Sequence, residues 1–157
     1  GRSVNLKGFI DRLDEVGHSL RIVDYKTGSK KALVFETPAE LFDRANKARP
    51  SAIMQVCLYA WMLHAEGCTR SLPLRPAICY VRSLFADDFD PSIYVGKKGG
   101  RKDSKTLLDD FVGQHLADFE SSLRGVLDEM FDPRLPFLQT DMTDRCEYCP
   151  FREICGQ

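Results

Sequence analysis

The sequence lacks any long apolar run, any excess of one charge, any internal repeat and any low-complexity tract. A membrane-spanning helix needs about 20 consecutive apolar residues. The most apolar stretch, residues 52–65, is interrupted by Gln55 and His64, so no helical span and no membrane partner are expected. Six cysteines in 157 residues are too few for a miniprotein built on disulfides. Lysine and arginine total 22 against 23 for aspartate and glutamate, a net charge of −1. That balance neither marks nor excludes a nucleic-acid binder, because binding needs only a local basic groove. No signal peptide and no starting methionine precede the first strand-like pattern. The chain is therefore expected to be a fragment cut from a longer protein, so the missing signal says little about location; the expected location is cytoplasmic.

What is present is ordinary globular composition, 43% hydrophobic and 29% charged. A chain of this length buries roughly 70% of its unfolded surface and needs no staple to fold. Two β-type runs, residues 4–10 and 19–25, flank the turn Glu15-Val16-Gly17-His18-Ser19 and are expected to pair as a hairpin. Thr37-Pro38-Ala39-Glu40 reads as a helix start with a capping box, and that helix should end before Pro50. Ser51 is expected to cap a second helix running to about Glu66, with Gly67 as its stop. Its apolar residues lie nearly all round, so it should be central and buried. Residues 76–82 read as a buried strand with Ser92–Val95 as its hairpin partner. Helical spacing of apolar residues predicts a long amphipathic helix from about Ser104 to Phe131, ended by Asp132-Pro133. These elements indicate an α/β fold with a mixed central β-sheet flanked by helices. The expected division is a core over residues 1–140 and a cysteine-rich tail over residues 141–157.

The stretch with the most chemistry is Gly8-Phe9-Ile10-Asp11-Arg12-Leu13-Asp14, followed by Ile22-Val23-Asp24-Tyr25-Lys26-Thr27-Gly28. Residues two apart in a strand share a face, so Asp24 and Lys26 project together and Tyr25 projects away. Asp11, on the partner strand, can converge on them. Two carboxylates and an ammonium at one sheet end suit metal-assisted hydrolysis of a phosphodiester. The carboxylates would hold a hard cation such as Mg²⁺, and the lysine would orient water or stabilise developing charge. The plain alternative is a surface ion pair worth about 0–1 kcal/mol. Gln55 and Tyr59 are spaced i, i+4 on the apolar helix and share one face. Buried polar groups need partners, so that face should meet a polar surface. Either they form a satisfied core pair or they face the carboxylate site.

Taken in order, Gly-X-Ile-Asp-Arg-X-Asp, Val-Asp-Tyr-Lys-Thr-Gly and Gln-X-X-X-Tyr strongly resemble the RecB-like branch of the PD-(D/E)XK nuclease superfamily, over about residues 4–66. The resemblance implies a restriction-endonuclease-like core and a Mg²⁺- or Mn²⁺-dependent deoxyribonuclease, expected to be an exonuclease. It implies that Asp11 and Asp24 ligate the metal with the backbone carbonyl of Tyr25, and that Lys26 is catalytic. Gln55 and Tyr59 would engage DNA. A role in recombination or repair follows, beside a helicase subunit or a helicase-like region of the same protein. The branch also carries a helix before its first strand, which is expected to be missing from this fragment.

The tail Cys146-X2-Cys149-Pro150-X4-Cys155-Gly156 is a second signal. Crowded thiolates can hold zinc or an iron–sulfur cluster, and both normally take four ligands. Cys57, Cys68 and Cys79 are expected to be inert packing. The tail resembles the end of AddB-type nuclease domains, which implies three ligands to a structural [4Fe–4S] cluster whose fourth cysteine lies upstream. The basic loop Lys97-Lys98-Gly99-Gly100-Arg101-Lys102 either contacts DNA phosphates or is a solvated connector. Two other classes stay open: a DNA-binding or scaffolding module of the same fold that does not cleave, and a zinc-binding interaction module.

Overall fold

A two-residue turn sets the frame. The computed structural model describes residues 3–46, 48–69, 71–136 and 138–156. Strand β1 (Arg12–Val16) pairs antiparallel with β2 (Ser19–Lys26), in the register Arg12↔Val23 to Val16↔Ser19. Gly17 takes the first central turn position at φ 62°, as a type II′ hairpin turn requires. The paired strand thus begins at Arg12, and residues 4–10 form no strand. In this register residues 4–8 would meet positions 27–31, past the end of β2. They run instead as unpaired chain along the next helix. Gly8 lies so close to the Tyr59 ring that a Cβ there would sit 2.5 Å from Cε1.

Val34–Phe35 forms β3, and the expected helix after it shrinks to a 3₁₀ turn, Pro38–Phe42. Thr37 makes no side-chain cap. Glu40 Oε2 accepts the Glu36 N–H at 2.8 Å, so the box does not close. Asp43 and Asn46 then hold the chain in side-chain turns through the N–H groups of Ala45 and Ala48. Helix α1 (Ser51–Ala65) follows. Pro50 is its N-cap residue rather than Ser51, and no side chain caps it. At the other end Gly67 takes φ 70°. The Gly67 and Cys68 N–H groups bond to the carbonyls of His64 and Leu63, a Schellman stop.

Strand β4 (Leu74–Tyr80) lies parallel to β2, giving a mixed sheet of order β1-β2-β4. Pro76 is tolerated within β4 because that strand is at the edge. The Ile78 N–H, two residues on, points outward to Pro91 O, so the missing Pro76 N–H costs no ladder bond. Helix α1 covers one face of the sheet, burying Ile53, Val56, Cys57 and Ala60 against residues such as Ile22 and Ile78. Val23, Ala77 and Cys79 pack with Phe89 on the other side.

The expected 92–95 partner of β4 is mostly diverted. Only Ser92 bridges to Ala77, and Tyr94–Val95 (β5) pairs instead between β3 and Thr106–Leu107 (β6). Residues 106–107 are therefore strand, and the long helix α2 starts at Phe111 and runs to Phe131. Asp110 starts it, its carboxylate accepting the Gly113 N–H at 3.0 Å. Phe119 is buried with its ring edge-on to Phe42 and Phe111. The chain divides into two compact units, Gly1–Gly125 and Val126–Gln157. In the second, a 3₁₀ turn (Thr143–Cys146) leads to a short helix α3 (Arg152–Cys155), and Gln139 Nε2 donates to Cys155 O at 2.7 Å. No described helix is long and apolar enough to cross a membrane.

The hairpin carries one strong cross-strand pair. Arg21 donates Nε and Nη2 to the two Asp14 oxygens, both at 2.9 Å, and Arg12 adds a contact at 2.7 Å. Arg21, then Arg12, hold the Asp14 carboxyl below its ordinary value. The stabilisation is complete above the unfolded value of about 3.9 and is lost as pH falls through the lowered folded value. Asp14→Asn should cost about 1 kcal/mol at neutral pH. Urea denaturation of both proteins across pH should show that gap closing on strong acidification.

Candidate active site

The site grows from the end of β2. Asp24 is 4% exposed, and Ile22 and Asp24 share the sheet face covered by α1. Burying a carboxylate requires a compensating charge. Lys26, one step along the same face, places Nζ 2.7 Å from Asp24 Oδ2. That contact is an ion pair without hydrogen-bond geometry, so Oδ2 stays a buried oxygen with no hydrogen bond. The same Nζ donates to Gln55 Oε1 at 2.7 Å, across 29 positions of sequence. Gln55 Nε2 donates in turn to Tyr59 Oη at 2.8 Å. Asp24, Lys26, Gln55 and Tyr59 thus form one continuous polar chain from sheet to helix.

Asp11 joins from outside the hairpin. It stands one residue before β1 rather than within a strand. Extending the register places it opposite Asp24, hence on the same face. Its Oδ2 accepts the Tyr25 N–H at 2.8 Å, doing the work of a missing strand partner. The N–H and C=O of one strand residue leave on the same side, so the Tyr25 carbonyl also faces the edge where Asp11 sits. The Tyr25 ring goes to the opposite face, within 3.5 Å of Arg12 Nη1. Trp61 turns away from the polar chain and donates Nε1 to Glu120 at 2.8 Å.

The donor set suits a hard cation: two carboxylates, one with a buried oxygen lacking a hydrogen bond, and a carbonyl on the same strand end. Among the described residues no three His, Cys, Asp or Glu side chains gather into a metal-holding group. The strand-end set supplies only two such side chains. The tail cysteines do not fit a cluster as they stand: Cys146 is buried, Cys149 half-buried and Cys155 exposed, and they are not gathered. Of the remaining thiols, Cys57 and Cys79 are buried, and desolvation pushes both up from their ordinary value. Cys68 is exposed beyond the end of α1.

Sequence reasoning missed Tyr80. It sits beside Lys26 in the parallel β2–β4 register, almost fully buried. Burial is the main cause that pushes its phenol up. No sequence pattern marks this neighbour, because register between strands about 50 residues apart is not written locally.

A mixed sheet with paired carboxylates and a lysine at the end of its central strand, under a helix, is a restriction-endonuclease-like α/β architecture. A family model for the PD-(D/E)XK nuclease superfamily matches residues 1–156, and the chain belongs to that superfamily. Comparison with curated proteins and with solved structures gives no match. Membership places the chain among nucleases as a class of hydrolase.

The buried ion pair sets a stability test that is independent of activity. Lys26→Met leaves Asp24 buried and uncompensated and should cost about 3 kcal/mol. Replacing both, Asp24→Leu with Lys26→Met, should recover most of that loss, since an apolar pair needs no compensation. Chemical denaturation of the two variants checks the order.

Proposed function

We propose that this protein is a DNA nuclease whose reacting centre is the Asp11–Asp24–Lys26 cluster. The observation that carries the reading is the unbroken chain from Asp24 Oδ2 through Lys26 Nζ and Gln55 to Tyr59. It joins residues of the Val-Asp-Tyr-Lys and Gln-X-X-X-Tyr motifs in one place, and Asp11 of the first motif bonds the strand residue between Asp24 and Lys26. Asp11, Asp24 and the Tyr25 carbonyl would hold Mg²⁺ or Mn²⁺, which polarises a phosphate and acidifies bound water. Lys26 Nζ is held between its ion-pair partner Asp24 and its acceptor Gln55, so its positive charge stands where negative charge develops on phosphoryl oxygens. Gln55 orients that ammonium. Tyr59 Oη accepts from Gln55 and keeps its own proton to donate to a DNA phosphate oxygen.

The finer reading is an exonuclease of cytoplasmic recombination or repair, working beside a helicase. Its support is the RecB-like order of the motifs. The same reading gives Cys146, Cys149 and Cys155 to a structural [4Fe–4S] cluster, whose binding would have to draw together three thiols that stand apart in this structure. Three thiolates leave one cluster position to a further ligand. The support is the spacing of the three cysteines, and no chemical step depends on the cluster.

Asp24→Asn should lower Mg²⁺-dependent cleavage of DNA by about 100-fold or more. Undiminished cleavage by a purified Asp24→Asn protein would show that the centre lies elsewhere. Tyr59→Phe keeps the ring and should change stability by under about 1 kcal/mol while turnover or DNA affinity falls.

Iron and zinc content decides the tail. Protein prepared anaerobically, with whatever sequence adjoins it, should carry iron and absorb at about 400 nm. Stoichiometric zinc without iron would end the cluster reading and leave the nuclease reading intact.

A further inference from the structure

A cavity of about 340 Å³ opens between the 31–34 segment, residues 48–50 and the first turn of α1. Lys31, Arg49 and Lys98 line it. Among the described residues none of the three pairs with a carboxylate. Glu40 also lines it, with Oε2 already accepting the Glu36 N–H. Three cations against one engaged carboxylate leave the cavity positive. The N–H groups of Ala52 and Ile53, in the first turn of α1, have no intrahelical acceptor. Tyr80, almost fully buried, contributes its phenol to the lining. Its hydroxyl can donate. This set of donors and charges matches the oxygens of a phosphate group.

The cavity adjoins the reacting centre without belonging to it. Tyr80 lines the cavity and is the strand neighbour of Lys26. Along α1, Gln55 lies about one turn, ~5.4 Å, beyond the Ser51 wall. That separation is on the order of one nucleotide step.

We propose that this cavity is a phosphate-binding subsite holding a phosphate of the substrate strand other than the one presented to Asp24 and Lys26. The placement of the strand rests on the nuclease reading. The affinity of the cavity for phosphate does not. It also gives the basic loop a function, since Lys98 reaches the wall. The phosphate can be a terminal monoester, a dianion near neutral pH, or an internal diester.

The test measures binding in EDTA, where cleavage is silent. Three oligonucleotides of one sequence are compared, carrying a 5′-phosphate, a 3′-phosphate or no phosphate. Arg49→Gln with Lys98→Gln changes two surface cations, and an unchanged thermal midpoint verifies the fold. The double variant should bind about tenfold more weakly. A loss confined to one phosphorylated end supports the terminal source, and an equal loss on all three supports the internal one. Affinity unchanged on all three overturns the subsite. Acetylation of Lys31 and Lys98 in the unaltered protein gives a second readout. Bound oligonucleotide should protect both lysines, and modification at the free rate overturns the proposal. If the variant loses binding while the parent never cleaves DNA, the subsite stands and the nuclease reading falls. If the parent shows Asp24-dependent cleavage while the variant binds as tightly as the parent, the nuclease reading stands and the subsite falls.

Discussion

Burial of the Asp24 carboxylate is the constraint on which the rest depends. A charged oxygen without a hydrogen bond, under a helix and inside a sheet, is costly unless a cation stands against it. Lys26 supplies that cation, but an ammonium has three donors to place. Gln55 takes one, and Tyr59 then takes the amide of Gln55. Gln55 and Tyr59 on α1 each meet the partner requirement of the polar group before them. The helix is otherwise apolar on the face that covers Ile22 and Ile78. The same energetic demand that ties sheet to helix also sets the mutual geometry of Asp24, Lys26, Gln55 and Tyr59.

Strand ends make that arrangement open to solvent chemistry. β1 begins pairing only at Arg12, just after Asp11, and β2 continues to Lys26. The last residues of β2 thus lack a neighbour on one side, and the Asp11 side chain bonds the Tyr25 N–H that a strand would have used. A longer first strand would cover the Tyr25 carbonyl and move Asp11 into the ladder. Gly8 contributes to the same effect by letting the unpaired chain pass close over Tyr59. The shortness of β1 therefore leaves the Tyr25 carbonyl uncovered and Asp11 outside the ladder.

Positive charge is arranged with similar economy. Arg12 and Arg21 are consumed by Asp14 on the face away from α1. Lys26 is consumed by Asp24. Lys31, Arg49 and Lys98 remain without carboxylate partners among the described residues and converge on one cavity. A net charge of −1 thus coexists with a local positive surface. This is why the balance of the whole chain carries no information about nucleic acid.

Much of the site is legible in local periodicity. Alternation along β2 puts Asp24 and Lys26 on one face, and the i, i+4 spacing puts Gln55 beside Tyr59, because both repeats are properties of a short stretch of backbone. The stop at Gly67 is legible for the same reason. The strand at 4–10, the helix before Pro50, the α2 start at 104 and the pairing of Ser92–Val95 are not. Each depends on where distant chain pairs. The turn register ends β1 at Arg12, and β3 draws Tyr94–Val95 out of the first sheet. β6 takes Thr106–Leu107, which lie inside the span expected as helix. The sequence by itself determined which side chains share a face. Tertiary structure alone decided that Lys26 meets Gln55, that Asp11 meets the Tyr25 N–H and that Tyr80 lies beside Lys26. Those contacts join segments far apart in the chain, and they form only where burial of the whole sheet outweighs the entropy of closing the loops between them.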